Sequence, residues 1–332
     1  MDVVLVVVLT MTLVAEFVNG WTDAPNAIAT VIATKTLTPL RAVIMAAILN
    51  TIGVLSGTAV ATTIGKGIVD TSVVDLTVVA GAVVSTALWG ATAARWGLPT
   101  SESHAIVAGI SGAALAAEGP SVLLWGGWQK VLIGLVLSSF VGFAGSFVLA
   151  KLIRNTSAVW KPSTGKVTFA RMQIASSMFT AFNHGLNDGQ KFMGIFAMAL
   201  VIAGVLPEFS IPRWVIFLCA AVMGLGTLTG GWRIIRKMGL RLVRLTTWQG
   251  FAAETGASLT MLLAARFGIP LSTTHTITTS IMGVGASGGF SGVRWRTALE
   301  IAMAWFLTFP ICFLIGAMTY FVVHGIAGFG AR

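Results

Sequence analysis

Two carboxylates recur in one short pattern. Phe17-Val18-Asn19-Gly20-Trp21-Thr22-Asp23 returns as Phe182-Asn183-His184-Gly185-Leu186-Asn187-Asp188. Each Asp stands among amides, Asn19 and Asn26 at the first copy, Asn183, Asn187 and Gln190 at the second. Both copies lie between apolar blocks, where a carboxylate at the centre of a bilayer costs at least ~2.5 kcal/mol on insertion scales. Carboxylate and amide oxygens are hard ligands suited to Na+, and a carboxyl group can instead carry a proton. The competing reading is helix N-capping. Recurrence at matched positions favours a cation-coupling role for Asn19, Asp23, Asn26, Asn183, Asn187 and Asp188.

A second pattern also occurs twice. Pro99-Thr100-Ser101-Glu102-Ser103-His104 matches Pro270-Leu271-Ser272-Thr273-Thr274-His275, and each copy follows an Ala-Ala-Arg-aromatic-Gly run. Hydroxyls at a helix start, together with the backbone N–H groups left free there, form a ready anion site. Thr100, Ser101, Ser103, Ser272, Thr273 and Thr274 are therefore candidate ligands for a tetrahedral oxyanion, with N-capping after a Pro turn expected at the same time. His104 and His275 are further candidates, although a His on an apolar helix is more often a packed core residue. Glu102 is the odd residue, since a carboxylate there repels an anion unless it is protonated, paired or turned away. Lys191 occupies the position of Asn26 in the first copy. It could add charge to the anion site, neutralise Asp188, or snorkel to an interface. Glu254, early in an apolar block, is a candidate coupling group, with pairing to Arg266 or to a neighbouring helix as the alternative.

The elements that must hold these residues belong to a membrane. The 332 residues are 56% hydrophobic and 10% charged, with a mean hydropathy of +0.89, against roughly 25% charged residues in average soluble domains. Apolar blocks run roughly from Val3 to Val18, Ala42 to Ile64, Val73 to Ala94, Val131 to Ile153, Phe169 to Phe182, Phe192 to Leu206, Trp214 to Leu228, Phe251 to Ala265 and Ala298 to Val323. Such runs are too continuous for barrel strands, so the chain is expected to be an all-α polytopic bundle. Ala105–Ala117 and Ile277–Ala286 are about half a bilayer long and are expected to form re-entrant hairpins or broken helices. The 38 glycines suit close helix packing.

The net charge of +10 is explained by Lys and Arg gathered between apolar blocks, as at Lys151, Arg154, Lys161, Lys166 and Arg171 and at Arg233, Arg236, Lys237, Arg241 and Arg244. No base-stacking pattern accompanies them, so no nucleic-acid partner is expected. Cys219 and Cys312 have no nearby metal-ligand pattern and are expected to be core residues. Basic residues follow the first Asp motif (Lys35, Arg41) and precede the second (Lys166, Arg171). The two halves are therefore expected to cross the membrane in opposite senses: an inverted repeat over residues 1–154, a short basic cytoplasmic linker over 155–168 and a second repeat over 169–332. Duplicated halves with polar segments at membrane depth mark a secondary transporter. Nucleotide loops, HExxH helices and nucleophile elbows are lacking, which argues against a pump or an enzyme.

At these residues the chain resembles the PiT family of inorganic phosphate transporters. The likeness rests on Asn19-Gly20-Trp21-Thr22-Asp23-Ala24-Pro25-Asn26-Ala27, its echo Asn183-His184-Gly185-Leu186-Asn187-Asp188-Gly189-Gln190-Lys191, the two hydroxyl-rich starts, Gly230-Gly231-Trp232-Arg233, and Ala302 to Pro310. The resemblance implies a cation-coupled phosphate symporter in the cell inner membrane, with phosphate near the repeat interface. It further implies Na+ or H+ as the coupling ion, no other cofactor, phosphate alone or as a metal–phosphate complex, contact with membrane lipid, and a homodimer. It places phosphate at the six hydroxyl-run residues and links Glu254 to transport. Thr22, where the family carries Asn, Glu102, and the lack of a long central loop depart from the pattern. A sulfate or other oxyanion permease, an anion channel and a membrane enzyme acting on lipid phosphate are the rival readings.

The swap of basic flanks generates a prediction. Single cysteines at Lys35 and Lys166 are expected to react with an impermeant thiol reagent from the same, cytoplasmic, side of the membrane. Labelling from opposite sides would overturn the inverted arrangement.

Overall fold

The computed structural model describes residues 3–157 and 162–330. The described chain is helical, with two isolated backbone bridges, Val69 with Leu123 and Val243 with Val293, as its only extended pairings among those residues. A long helix α1 (Val3–Ala33) leads to a bent pair, α2 (Pro39–Val54) and α3 (Ala59–Gly67), and then to α4 (Leu76–Arg95) and a short α5 (Glu102–Glu118). Helices α6 (Trp125–Val136) and α7 (Gly142–Thr156) follow, joined by a π-helical turn at Leu137–Val141. The order then repeats. Long α8 (Pro162–Ile202) precedes a bent pair made of α9 (Arg213–Thr229) and α10 (Trp232–Ile235), the latter continued by a π segment, Arg236–Leu242. Next come α11 (Thr247–Arg266), short α12 (Thr273–Ser287) and long α13 (Trp295–Gly330).

Four spans, Val3–Ala33, Leu76–Arg95, Trp125–Thr156 and Trp295–Gly325, are long and apolar enough to cross a bilayer, and each bent pair adds another if counted as one span. The chain is an all-α integral membrane protein. Both Asp motifs lie inside continuous helices, α1 and α8, and not between blocks as the polar runs suggest. Pro25 interrupts the hydrogen bonding of α1 because it has no N–H to give to the Trp21 carbonyl. That carbonyl accepts instead from the Gly231 N–H at 3.2 Å, so the helix continues and the freed group is satisfied by a neighbour. A Cβ on Gly231 would meet the Pro25 ring and the Trp21 oxygen at 2.9 Å each, so only glycine fits the crossing.

The single apolar block expected over Ala42–Ile64 is two helices bent by 68°. The break at Leu55–Thr58 leaves the first N–H groups of α3 without partners. Gln190 reaches across from α8, and its Oε1 accepts from Val60 N at 2.8 Å and Ala61 N at 3.4 Å. Of the expected linker over 155–168, residues 158–161, Lys161 among them, lie outside the described residues, while α7 reaches Thr156 and α8 begins at Pro162.

Helices α1 and α8 run antiparallel. Thr34 meets Gln173, Ser177 donates to the Ala27 carbonyl at 3.0 Å, and Asp23 and Asp188 come together further on. The matched glycines of the two motifs set the spacing. Gly20 lies against the Met223 carbonyl of α9, and Gly185 against the Asn50 carbonyl of α2. Each motif helix thus packs on the bent pair of the other half. The short helices do the same, α5 against α13 at Gly112 and α12 against α7 at Gly283. At 1.5 Å per residue, the 17 residues of α5 and 15 of α12 fall short of the ~30 Å hydrocarbon core, and both are covered on most sides.

A Cβ at Gly185 would come within 2.1 Å of the Asn50 oxygen. Gly185→Ala is therefore expected to push α8 off α2 at a cost of about 1–3 kcal/mol, read as a lower melting temperature in detergent. An unchanged melting temperature would show that this crossing is not tight.

Candidate functional site

The site forms where α1 and α8 pass the starts of α5 and α12. Asp23 and Asp188 sit mid-helix, which rules out N-capping for either. One ligand atom each from Asp23, His184 and Asp188 lies within 4.8 Å of the others, and all three residues are buried. Asp188 is held on two sides, Oδ1 accepting from Lys191 Nζ at 2.6 Å and Oδ2 from Thr273 Oγ1 at 2.9 Å. His184 Nε2 stands 3.5 Å from Oδ2. Asp23 meets Thr274 Oγ1, 3.4 Å from Oδ1 and 3.3 Å from Oδ2, and its carboxyl also lies against that of Asp188. Asn26 Nδ2 donates to Thr274 Oγ1 at 2.9 Å and lies 3.4 Å from Thr273 Oγ1.

The amide residues share an orientation. Asn187 Nδ2 donates to the Asn183 carbonyl at 2.8 Å and the Met261 carbonyl at 3.1 Å, and Asn183 Nδ2 donates to the Phe179 carbonyl at 2.9 Å. Asn19 Nδ2 reaches Glu16 Oε2 at 3.4 Å. In all three the Oδ1 atom is buried and unpartnered. Buried oxygens left without donors cost free energy, so each of the three has an unmet need for a donor or a cation.

The hydroxyl-run residues all come to the centre. Ser101 and Ser272 cap α5 and α12, accepting from His104 N at 3.4 Å and His275 N at 3.1 Å. Each hydroxyl keeps its own hydrogen for another acceptor. Ser103 Oγ donates to the Leu271 carbonyl at 2.7 Å, which ties the two helix starts together. Thr100 is buried beside them. His104 and His275 meet edge to face with ring centroids 4.8 Å apart, and His275 stacks on Trp305 at 3.7 Å. Trp305 Nε1 in turn donates to the Pro99 carbonyl at 3.1 Å. The two His rings thus brace the hairpin starts against α13.

Other candidates lie elsewhere or act differently. Gln190 caps α3 and faces away from the carboxylates. Lys191 is paired with Asp188 and does not snorkel. Glu102 Oε1 lies 3.2 Å from Thr22 Oγ1, whose hydroxyl also reaches the Val18 carbonyl at 2.9 Å, and Glu102 Oε2 is buried without a partner. Glu254 meets neighbouring helices and not Arg266. It is bonded by Thr30 of α1, by Ser176, and at 3.5 Å by Gln173 Nε2 of α8. Thr30 is seven residues from Asp23, about 10 Å along the helix, so Glu254 forms a separate polar node joining α1, α8 and α11. Two residues at the site are not among the sequence candidates: Glu16, a fully buried carboxylate whose Oε1 has no partner, and His184. A signal exists for both, a charge inside an apolar block and the second polar residue of the second motif.

A membrane-spanning bundle whose centre joins paired carboxylates, orphaned amide oxygens and two facing helix starts defines a carrier of small ions. The chain belongs to the phosphate transporter family, whose model matches residues 19–316. Among its relatives are a protein of Rhizobium meliloti (strain 1021), named a probable low-affinity inorganic phosphate transporter, and one of Bacillus subtilis (strain 168) with the same name. The first is 41% identical over 325 residues, covering 97% of each chain. The second is 38% identical over 333 residues, covering 98% of this chain and 99% of the relative. These relatives are transporters and not enzymes. The fold is also similar to the solved structure titled "The sodium-dependent phosphate transporter", with a TM-score of 0.89, 24% identity, and coverage of 98% of this chain and 100% of that one.

Replacing Gln190 by Leu removes the cap of α3. It is expected to cost about 0.5–2 kcal/mol of stability while leaving the KM of substrate uptake unchanged. A raised KM with unchanged stability would place Gln190 in the site.

Proposed function

We propose that the protein imports inorganic phosphate, free or complexed with a metal ion, by symport with Na+ or H+ across the cell inner membrane. The observation that carries this reading is the Ser103 to Leu271 contact, which brings two helix starts side by side above Asp23 and Asp188. Free N–H groups and the hydroxyls of Thr100, Ser101 and Ser272 receive the phosphate oxygens, joined by those of Ser103, Thr273 and Thr274 as these turn from Leu271, Asp188 and Asp23. The positive ends of two helices favour its charge. The anion then lies close to Glu16, Asp23, Glu102 and Asp188, four buried carboxylates facing one ammonium. Such a load is tolerated in low dielectric only when cations or protons arrive with it. That is the physical basis of coupling. Asp23 and Asp188, with the orphaned oxygens of Asn19, Asn183 and Asn187, hold the coupling ion, and Asn26 links it to the hydroxyls of α12. Glu254, a turn or more away, couples the motion of α1, α8 and α11 to that load. Carboxylates beside the anion favour phosphate over sulfate, because protonated phosphate can donate to them.

The antiparallel course of α1 and α8 and the repeated element order support inverted repeats over 1–154 and 169–332. We assign the functional unit to a homodimer in lipid, following the family resemblance.

The test is uptake of radiolabelled phosphate into proteoliposomes under an imposed Na+ or H+ gradient, with sulfate as competitor. Accumulation driven by either gradient and resistant to sulfate is expected. Uptake indifferent to both gradients would mean a channel. Ser101→Ala and Ser272→Ala are each expected to weaken phosphate binding by about 1.5–3 kcal/mol, roughly ten- to hundredfold. Unchanged affinity in both would move the anion elsewhere. Asp23→Asn is expected to fold and lose accumulation. Asp188→Asn strands the Lys191 charge and is expected to lose about 3–5 kcal/mol of stability as well, so the two melting temperatures should differ.

A further inference from the structure

The two Asp motifs differ in the residue one helical turn beyond the carboxylate. Asn26 follows Asp23 by three positions, and Lys191 follows Asp188 by three. That spacing puts each pair on one helix face. Lys191 is among the largest fully buried side chains of the protein, 1% exposed, and its ammonium lies 2.6 Å from Asp188 Oδ1. Asp188 Oδ2, by contrast, points to Thr273 and His184, on the side where Asp23 approaches. In the first copy the corresponding neighbour is the neutral Asn26, and the fixed positive charge that Asp23 meets is the same Lys191 that pairs with Asp188.

We propose that the Lys191 ammonium is a tethered cation: it permanently fills one of the two carboxylate-linked cation positions that the duplication provides, so that this chain carries one coupling ion fewer per phosphate than its two motifs would allow. The assignment rests on the symport reading above and refines its stoichiometry. An ammonium satisfies one lone pair of Asp188 as a bound sodium would, and its four-carbon stem keeps it there through the cycle. The remaining exchangeable position lies between Asp23 and Asp188 Oδ2. Glu16 and Glu102 both lie close enough to Lys191 to feel its charge. The fixed cation therefore offsets a carboxylate load that no repeat-symmetric arrangement would carry, since Ala181 and Thr273 stand where Glu16 and Glu102 stand in the first half.

The experiment compares wild type, Lys191→Asn and the double variant D188N/K191N as purified protein, using 22Na+ binding and melting temperature in sodium against choline. K191N restores the residue of the first motif. It is expected to bind an additional sodium ion relative to wild type and to gain a sodium-dependent rise in melting temperature that the double variant lacks. In proteoliposomes, its phosphate uptake is expected to become more steeply dependent on sodium than that of wild type. A folded K191N with the sodium binding of wild type overturns the proposal. So does a K191N that fails to fold with or without sodium, because a vacated cation position should be recovered by the ion. Wild-type vesicles keep the two readings apart. Ion-independent wild-type uptake defeats symport itself, whereas ion-dependent uptake with no new sodium in K191N defeats only the tethered cation.

Discussion

Buried carboxylates need positive charge, and the arrangement around Asp188 is shaped by that need. Its two oxygens are divided between the Lys191 ammonium on one side and Thr273, His184 and Asp23 on the other. Removing one member of a buried pair is costly because the other stays behind uncompensated. The pair therefore pins the middle of α8. The rest of α8 is used in turn: Gln190 caps α3, Gly185 seats the helix on α2, and Ser176 and Gln173 hold Glu254. One helix thus connects the charge at the site to three separate parts of the bundle.

Close backbone contact is the second constraint. Without a hydrophobic drive between helices in lipid, association depends on packing and on satisfied polar groups. Gly20 against α9 and Gly185 against α2 bring helices from opposite halves into contact, as do Gly112 against α13 and Gly283 against α7. The halves are interlocked and not placed side by side. The hydroxyls that gather at the centre come from both, which is why Ser103 of one meets the Leu271 carbonyl of the other.

Much of this was readable in the residues. Long apolar runs gave helices, and doubled motifs gave the six hydroxyl-bearing positions and both Asp residues, because each pattern reports a local requirement of its own segment. What could not be read was pairing across the chain. Nothing near Gln190 shows that its oxygen caps a helix 130 positions away. Nothing near Thr22 shows that it faces Glu102, and the break at Ser56-Gly57 is hidden inside an apolar block. The polar run from Asn19 to Asn26 looked like an end to α1, because the group that repairs the gap at Pro25 is the N–H of Gly231. Glu16 was masked by the hydropathy of its neighbours, although a single charge in such a block is the strongest local signal a membrane sequence carries.

The division of charges between the halves also bears on how the protein is made. Glu16, Asp23 and Glu102 all belong to the portion synthesised first, whereas the lysine that offsets them lies in α8. Until α8 is made, that portion holds three buried carboxyls and no buried ammonium among its described residues, and a carboxylate at mid-depth carries at least ~2.5 kcal/mol of insertion cost. The apolar spans of the first half can cross a bilayer by themselves, but the charge balance of its buried carboxyls is completed only by a residue that is made later.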